Sequence, residues 1–253
     1  MSVGAVPSSA SASNESTALA ARLLADKTAT LARLAAGIAH ELRNPLAVIL
    51  ARVQLLELAM KGGKSLPPGK LETTLRTVGE QAVRASKIIE SLSIFARPRV
   101  PVLESVDLGQ IIGHVLSDLR AESSEDRIVT TEVDVAPEAM TVVADSGQLT
   151  TALRQLTLNA LQAMPDGGRL RIHARARDGS VEVIVGDTGG GIATHDAARI
   201  FDPFFTTKPS GTGLGLCVAQ TIAEAHGGSV RLMASGGPGA EFVLSLPTRW
   251  RMP

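Results

Sequence analysis

His40, Glu41 and Asn44 are the residues of this 253-residue chain whose types and spacing most directly suggest chemistry. An uncharged histidine has a nucleophilic ring nitrogen, and a neighbouring carboxylate such as Glu41 can accept the proton of the other nitrogen. On a helical wheel His40 falls almost opposite the apolar stripe of its helix, so we expect it to face solvent. Pro45 removes a backbone donor, so Asn44 either does chemistry or holds the local backbone. Taken alone, the pattern also fits an ordinary surface histidine.

Glycine is concentrated in the C-terminal part of the chain, where twelve of the 24 glycines lie between Gly186 and Gly239. Glycine-rich loops let a ligand approach the backbone, whose N–H groups can hold phosphates. One cluster follows a predicted strand at Gly189, and another leads into a predicted helix at Gly215. The distribution favours a nucleotide site over the alternative of ordinary turns between short strands.

Composition excludes several classes of protein. The chain has 25 Lys+Arg and 25 Asp+Glu, a balance that argues against a nucleic-acid partner. The single cysteine, Cys217, allows no intrachain disulfide and fits a reducing compartment. No uncharged stretch reaches the roughly 18 residues of a membrane span, and the N-terminus lacks the pattern of a signal peptide. We therefore expect a cytoplasmic protein without a membrane span.

Two apolar patterns predict a helical hairpin over residues 18–97, after a disordered tail at residues 1–17. The first pattern comprises Leu31, Leu34, Ile38, Leu42, Ile49, Val53, Leu56 and Met60, and the second comprises Leu71, Leu75, Val78, Ala82, Ala85, Ile89, Leu92 and Ala96. The second is a heptad seam. Two helices alone cannot enclose a core, so the simplest completion is a second copy, which gives a dimeric four-helix bundle. The alternative is that the hairpin packs on the rest of its own chain.

The remainder predicts a linker at residues 98–104 and an α/β (α+β) sandwich over residues 105–253. Strands are predicted at 127–135, 140–144, 170–176, 181–185, 230–234 and 241–246, and helices at 145–164 and 214–226. Asp145 and Gln148 have the spacing of an N-cap and its N3 partner. The dipeptide Asp178-Gly179 predicts a hairpin between the third and fourth strands.

Four segments resemble, in order, the sequence boxes of two-component sensor histidine kinases. LAAGIAHELRNPLAVI (34–49) is similar to the phosphoacceptor box, LTLNALQAM (156–164) to the N box, VGDTGGGI (185–192) to the first glycine box, and FDPFFTTKPSGTGLGL (201–216) to the F box and second glycine box. The resemblance implies a HisKA-type dimerisation and phosphoacceptor domain followed by a GHKL-type ATP-binding domain. The segment between Phe205 and Gly211 resembles the brief ATP lid of the nitrogen-regulation type.

The resemblance implies roles for the residues of the hairpin. His40 is the implied phosphoacceptor and Glu41 the implied base of the kinase step. Asn44 matches the residue that positions water in family members with phosphatase activity.

The resemblance also implies an ATP site with Mg²⁺. Asn159 is the implied metal ligand through its amide oxygen, and Asp187 is the implied acceptor for the adenine amino group. The other implied ATP-binding residues are Gly189, Gly191, Lys208, Gly211, Thr212, Gly213, Leu214 and Gly215. Lys208 is a candidate contact of the β- and γ-phosphates, and the alternative is an ordinary exposed lysine. Gln155 departs from some relatives, which carry Asn there, and this weakens the case for phosphate contacts from that helix.

The resulting hypothesis is an ATP-dependent protein histidine kinase that acts as a homodimer with the cofactors ATP and Mg²⁺. It phosphorylates His40 and passes the group to an aspartate of a response regulator receiver domain, which it also dephosphorylates if Asn44 has the implied role. We expect the signal either from a separate sensory protein or from a longer chain of which this is a fragment. The alternatives are a GHKL-type ATPase and a catalytically idle dimeric scaffold.

Overall fold

The computed structural model describes residues 36–61, 67–96, 99–122, 128–208, 211–234 and 238–248. The predicted tail and the predicted helical residues 18–35 lie outside the described residues. The chain divides into two compact units, Met1–Ala85 and Ser86–Pro253. The division falls within the second helix, because Ile88 there is 2% exposed and Ile94 packs against the core of the second unit. The domain limits predicted from the sequence stay a prediction.

The first unit contains most of the predicted helical hairpin, whose second helix continues into the second unit. Helix α1 covers the described residues 36–61 and stays helical through the buried Pro45. Helix α2 spans Pro68–Ala96. Its first residue is a proline, which suits this position because the first helical N–H has no intrahelical acceptor. Thr74, 6% exposed, satisfies its buried hydroxyl by donating to the carbonyl of Lys70 at 2.7 Å.

The hairpin leaves large apolar side chains exposed within its own unit. Such side chains are Leu46, Leu50, Leu55, Leu58, Met60, Leu71, Leu75 and Val83. The predicted seam positions Leu71 and Leu75 are 42% and 55% exposed. Apolar side chains of this size that are exposed along a helical hairpin are typical of an interaction site.

Among its described residues, the second unit contains seven strands and three complete α-helices. The strands are β1 (Glu104–Asp107), β2 (Val129–Val135), β3 (Thr141–Ala144), β4 (Gly168–Arg177), β5 (Ser180–Asp187), β6 (Ser229–Ala234) and β7 (Glu241–Pro247), and the helices are α3 (Leu108–Glu122), α4 (Ser146–Gln162) and α5 (Gly215–Ala225). The sequence predictions found all of these elements except β1 and α3. Helix α3 buries one face through Leu108, Ile111, Ile112, Val115 and Leu119, a helical spacing that was visible in the sequence.

The main sheet has the strand order β2-β4-β5-β7-β6, and β1 and β3 form a separate antiparallel pair. Strand β2 runs parallel to β4, whereas the other neighbours are antiparallel. The turn between β4 and β5 has positive φ at Asp178 (50°) and Gly179 (77°). These angles suit a tight hairpin turn, so the predicted hairpin is confirmed.

One face of the main sheet carries the core. Leu170, Ile172 and Ala174 of β4 alternate with half-exposed residues, and they pack in one buried cluster with Leu153 and Leu156 of α4. Alternation of this kind is typical of a sheet with one face against helices. The predicted architecture, a helical hairpin followed by an α/β (α+β) sandwich, is confirmed.

Asp145 joins three segments at the start of α4. Its Oδ1 accepts the N–H of Gln148 at 2.9 Å, as predicted for an N-cap, and its Oδ2 accepts the N–H of Val102 at 3.0 Å. Its own N–H donates to Nε2 of the buried His226 at 3.0 Å, so the ring proton lies on Nδ1, which donates to the carbonyl of Ile222 at 2.8 Å. Burial acts to raise the pKa of Asp145, but these backbone donors hold it below its usual value.

We predict that Asp145→Ala lowers the free energy of unfolding by about 1–2 kcal/mol, because it removes a helix cap and a second hydrogen bond. The folded-state pKa lies below the unfolded value, so the carboxylate stabilises the fold at neutral pH. This contribution is lost as the pH falls through the lowered pKa. Denaturant unfolding followed by circular dichroism at pH 7 and at about pH 3 measures both effects. A cost no greater than that of the exposed control Asp166→Ala would contradict the prediction.

Candidate functional site

Asn159 lies in the C-terminal half of α4, half-buried at the edge of the helix face that packs on the sheet. This is the position that the sequence predicted. The Nζ atom of Lys208 lies 2.6 Å from the Oδ1 atom of Asn159 and 3.0 Å from its carbonyl oxygen. Burial lowers the pKa of Lys208, and the negative charge of Asp187 acts in the opposite direction. The structure therefore brings Asn159, Lys208 and Asp187 into one electrostatic group.

The contact shows that the amide oxygen of Asn159 faces a cation. Neutral oxygens of this kind suit Mg²⁺, which usually keeps several waters and takes further ligands from phosphates. Among the residues that the structure describes, no group of three or more His, Cys, Asp or Glu side chains could hold a metal ion.

Asp187 ends strand β5 and is 6% exposed. Its Oδ1 atom accepts the N–H of Gly189 at 2.8 Å, and its own N–H donates to the carbonyl of Ala240 at 2.9 Å. Burial raises the pKa of Asp187, although backbone hydrogen bonds and the charge of Lys208 partly oppose this. A buried carboxylate whose one oxygen is held by the backbone is a rigid acceptor for a donor on a ligand.

The first glycine segment follows Asp187 and makes very close backbone contacts. A Cβ atom on Gly189 would lie 2.2 Å from the carbonyl oxygen of Ala163, at the end of α4. Gly239, before β7, has φ of 79°, and a Cβ atom there would lie 2.1 Å from the carbonyl oxygen of Asp187. The N–H of Gly239 donates to the carbonyl of Gly189 at 2.7 Å. The sequence analysis missed Gly239, because nothing in the spacing of the glycines linked it to Asp187.

The second glycine segment leads into α5. The N–H of Gly211 donates to the carbonyl of Lys208 at 3.1 Å, and Gly213, with φ of 65°, accepts the N–H of Phe204 at 3.0 Å. The N-cap of α5 is Leu214, which supplies no side-chain hydrogen bond to the helix. The positive end of the helix dipole therefore has no side-chain cap, an arrangement that favours an anion.

Phenylalanine side chains pack where this segment begins. The rings of Phe201 and Phe242 meet edge to face at 6.4 Å, and the guanidinium of Arg199 lies 4.5 Å from the ring centroid of Phe205. Phe201 and Phe205 pack against the core. These side chains therefore fix the start of the segment to the body of the unit.

His40 belongs to the other unit, on α1. His40 and Asn44 are exposed, as predicted for His40, whereas Glu41 is half-buried. The structure thus places the predicted residues in two groups, one on the hairpin and one around Asn159 and Asp187. Their individual chemical roles stay predictions.

No helix among the described residues is long and apolar enough to cross a membrane.

Two family models match the chain in the order of these two groups. The His Kinase A (phospho-acceptor) domain matches residues 30–100, and the Histidine kinase-, DNA gyrase B-, and HSP90-like ATPase matches residues 144–249. The sensor histidine kinase ZraS of Escherichia coli (strain K12) is 36% identical over 225 residues, which cover 88% of this chain and 46% of ZraS.

Solved structures agree with the family models. The mycobacterial sensor histidine kinase MprB is 32% identical with a TM-score of 0.52, and the match covers 59% of this chain and 100% of the MprB chain. Full-length ShkA in complex with AMPPNP is 28% identical with a TM-score of 0.63, over 86% of this chain and 46% of the ShkA chain. The fold and the family models define a His Kinase A-type helical hairpin joined to an ATPase-type sandwich. The chain belongs to the two-component sensor histidine kinases, and it spans about half the length of curated relatives such as ZraS.

We predict that Gly189→Ala lowers the free energy of unfolding by about 1–3 kcal/mol, because its methyl group would collide with the backbone of α4. Gly190→Ala is the matched control, since a Cβ atom there has no neighbour within 4 Å. We expect the control to change stability by no more than about 0.5 kcal/mol. Thermal unfolding of the two variants measures the difference, and equal melting temperatures would contradict the close approach.

Proposed function

We propose that this chain is an ATP-dependent protein histidine kinase that transfers the γ-phosphoryl group of ATP to His40. The observation that carries the proposal is the presence, on one chain, of an exposed histidine followed directly by a half-buried glutamate, together with a rigid acceptor site bordered by glycines. An ATPase alone needs no exposed nucleophile, so the pair favours a kinase over an ATPase. A catalytically idle scaffold needs neither feature.

Nucleotide binding is supported by the surroundings of Asp187. One carboxylate oxygen is held by Gly189, and the carboxylate can accept a hydrogen bond from an adenine amino group. The glycines let a flat base approach the backbone, and the start of α5 suits phosphates. The predicted contacts Gly191, Thr212 and Leu214 belong to these same loops. ShkA, whose structure was solved with the ATP analogue AMPPNP, supports the assignment by its likeness.

Mg²⁺ is the metal that the donor chemistry of Asn159 supports. Bound there, it would neutralise phosphate charge and help to stabilise the transferring group. The role of Asn159 would be to hold the metal at a fixed place beside α4. The backbone of Asn159 is itself fixed, because α4 packs on the sheet. In the structure the side-chain oxygen of Asn159 already faces the positive charge of Lys208.

Phosphoryl transfer would use the hairpin residues. A ring nitrogen of His40 attacks the γ-phosphorus as the bond to the β-phosphate oxygen breaks, and Glu41 accepts the proton of the other ring nitrogen. Positioning and charge neutralisation account for most of the catalysis in such transfers. Asn44, exposed one turn beyond His40, would orient water for dephosphorylation of the partner. The alternative that Asn44 holds the backbone beside Pro45 stays open.

The proposed kinase function also implies partners for this chain. A second copy would cover the exposed apolar side chains of the hairpin, such as Leu71 and Leu75, and form a four-helix bundle. Phosphorylated His40 would pass its group to an aspartate of a response regulator receiver domain. The signal would come from a separate sensory protein or from further residues of a longer chain. A cytoplasmic location stays a prediction.

We predict that incubation with γ-labelled ATP places acid-labile label on the protein and that His40→Gln abolishes it. His114→Gln is the matched control, because His114 is also an exposed helical histidine with an acidic partner, Asp118 at 3.4 Å. Nucleotide binding should persist in both variants, since the two predicted groups of residues belong to different units. Label that survives in His40→Gln would refute the phosphoacceptor. Released phosphate without label would favour an ATPase, and neither product would favour a scaffold.

We predict that Asp187→Asn weakens ATP binding by about ten- to a hundredfold, because a hydrogen bond to a charged group is worth roughly 1.5–3 kcal/mol. The amide oxygen can still accept the N–H of Gly189, so the melting temperature should change little. Calorimetric titration of both proteins measures the affinity. Asp134→Asn, at a carboxylate that is 80% exposed on the sheet, serves as the control. Equal affinities of wild type and Asp187→Asn would refute the adenine contact.

A further inference from the structure

The ammonium group of Lys208 is bound to Asn159 through two contacts at once. Its Nζ atom lies 2.6 Å from the side-chain oxygen and 3.0 Å from the backbone carbonyl oxygen of the same residue. That carbonyl also accepts the N–H of Ala163 at 3.1 Å in the last turn of α4. The carbonyl end of a helix favours a positive charge, so the lysine has both a hydrogen-bonding and an electrostatic reason to lie there.

A divalent cation on Asn159 and this ammonium group exclude each other. Mg²⁺ binds oxygen at roughly 2.0–2.1 Å and demands near-octahedral geometry with its ligands and waters. An ammonium group at hydrogen-bonding distance from the same oxygen would occupy the space of that shell. It would also hold a like charge a few ångströms from the metal in a partly buried place, where screening by water is weak.

We propose that Lys208 and the divalent cation are alternative occupants of the Asn159 oxygen, so that metal binding displaces the lysine from α4. This inference rests on the proposed function, which places Mg²⁺ at Asn159. The displaced ammonium group is then available to the phosphates of the nucleotide. Asn159 thereby links metal binding to the position of Lys208. Because the metal must displace the lysine, the lysine raises the metal concentration at which the site fills.

Release of Lys208 would weaken backbone hydrogen bonds that it makes with neighbouring residues of the chain. The N–H of Lys208 donates to the Oγ1 atom of Thr206 at 3.1 Å, and the carbonyl of Lys208 accepts the N–H of Gly211 at 3.1 Å. These two amides therefore report on whether the lysine is held at Asn159. Their rates of hydrogen exchange can be followed by mass spectrometry on peptides that contain them.

The first experiment measures hydrogen exchange in the full chain without nucleotide for Asn159→Ala, Lys208→Met and the double variant. Each single change should speed exchange of the Lys208 and Gly211 amides by about tenfold or more, the effect of losing a charge-assisted hydrogen bond. The double variant should exchange no faster than the faster single variant, because both changes remove one interaction. Gln162→Ala, at an exposed amide near the end of α4, should exchange like wild type. Wild-type rates in Asn159→Ala, or additive effects in the double variant, would overturn the proposal.

The second experiment measures Mn²⁺ binding, as a spectroscopic substitute for Mg²⁺, at saturating ADP. Lys208→Met should bind Mn²⁺ about tenfold more tightly than wild type, because the metal no longer displaces an ammonium group. Mn²⁺ affinity in Lys208→Met that is equal to or weaker than in wild type would overturn the proposal. If the protein binds no ADP, the proposed function fails instead, and the exchange experiment still decides whether Lys208 is held by Asn159.

Discussion

The close approach of three backbone segments is the constraint on which the candidate nucleotide site depends. The loop after β5 passes so close to the end of α4 that Gly189 has no room for a Cβ atom, and Gly239 is equally confined against the carbonyl of Asp187. These contacts fix Asp187 relative to the helix that carries Asn159. Close packing transmits such a constraint rigidly, because a protein interior has little free volume. A side chain at either glycine would move Asp187 and Asn159 apart.

Charge within this rigid frame is balanced locally. Asp187 is buried, which raises its pKa, and Lys208 is partly buried, which lowers its own. Each residue's charge reduces the cost of burying the other. In the proposed function, a bound nucleotide and its metal would add several charges of both signs to the same small volume. The site would then exchange electrostatic contacts rather than keep one fixed set.

Sequence patterns predicted the elements whose apolar residues recur at a regular spacing and the residues that belong to motifs. The hairpin, the strands β4 and β5 and their Asp178-Gly179 turn follow from apolar spacing and turn chemistry, and all are present. Strand β1 and helix α3 were missed although the spacing of α3 was readable. The parallel pairing of β2 with β4 depends on strand order, which no local pattern encodes. The contact of Lys208 with Asn159 joins residues 49 positions apart and depends on the path of the chain between them.

Other omissions have a different cause. His226 had no predicted role, because its two hydrogen bonds go to backbone atoms of Asp145 and Ile222, and a backbone partner leaves no mark on the sequence. Gly239 escaped notice for the same reason, since its neighbour is a carbonyl group. By contrast, the apolar spacing of its helix predicted that His40 faces solvent, but a chemical role for it could be proposed only from its motif. Apolar spacing says which side chains are exposed and not what an exposed side chain does.

Under the proposed kinase function, the exposed His40 and the buried Asp187 meet different requirements of phosphoryl transfer. A nucleophile that must meet both a nucleotide and a partner protein has to be exposed, and an exposed helix position tolerates such a residue at little cost in stability. A base acceptor has to be shielded from water to discriminate, and burying a carboxylate is costly unless the surrounding backbone is arranged to satisfy it. That cost explains why Asp187 is surrounded by glycines and backbone hydrogen bonds, whereas His40 lies on a regular helix. In the proposed function, a hairpin that carries the nucleophile and a sandwich that carries the base acceptor would separate these incompatible demands.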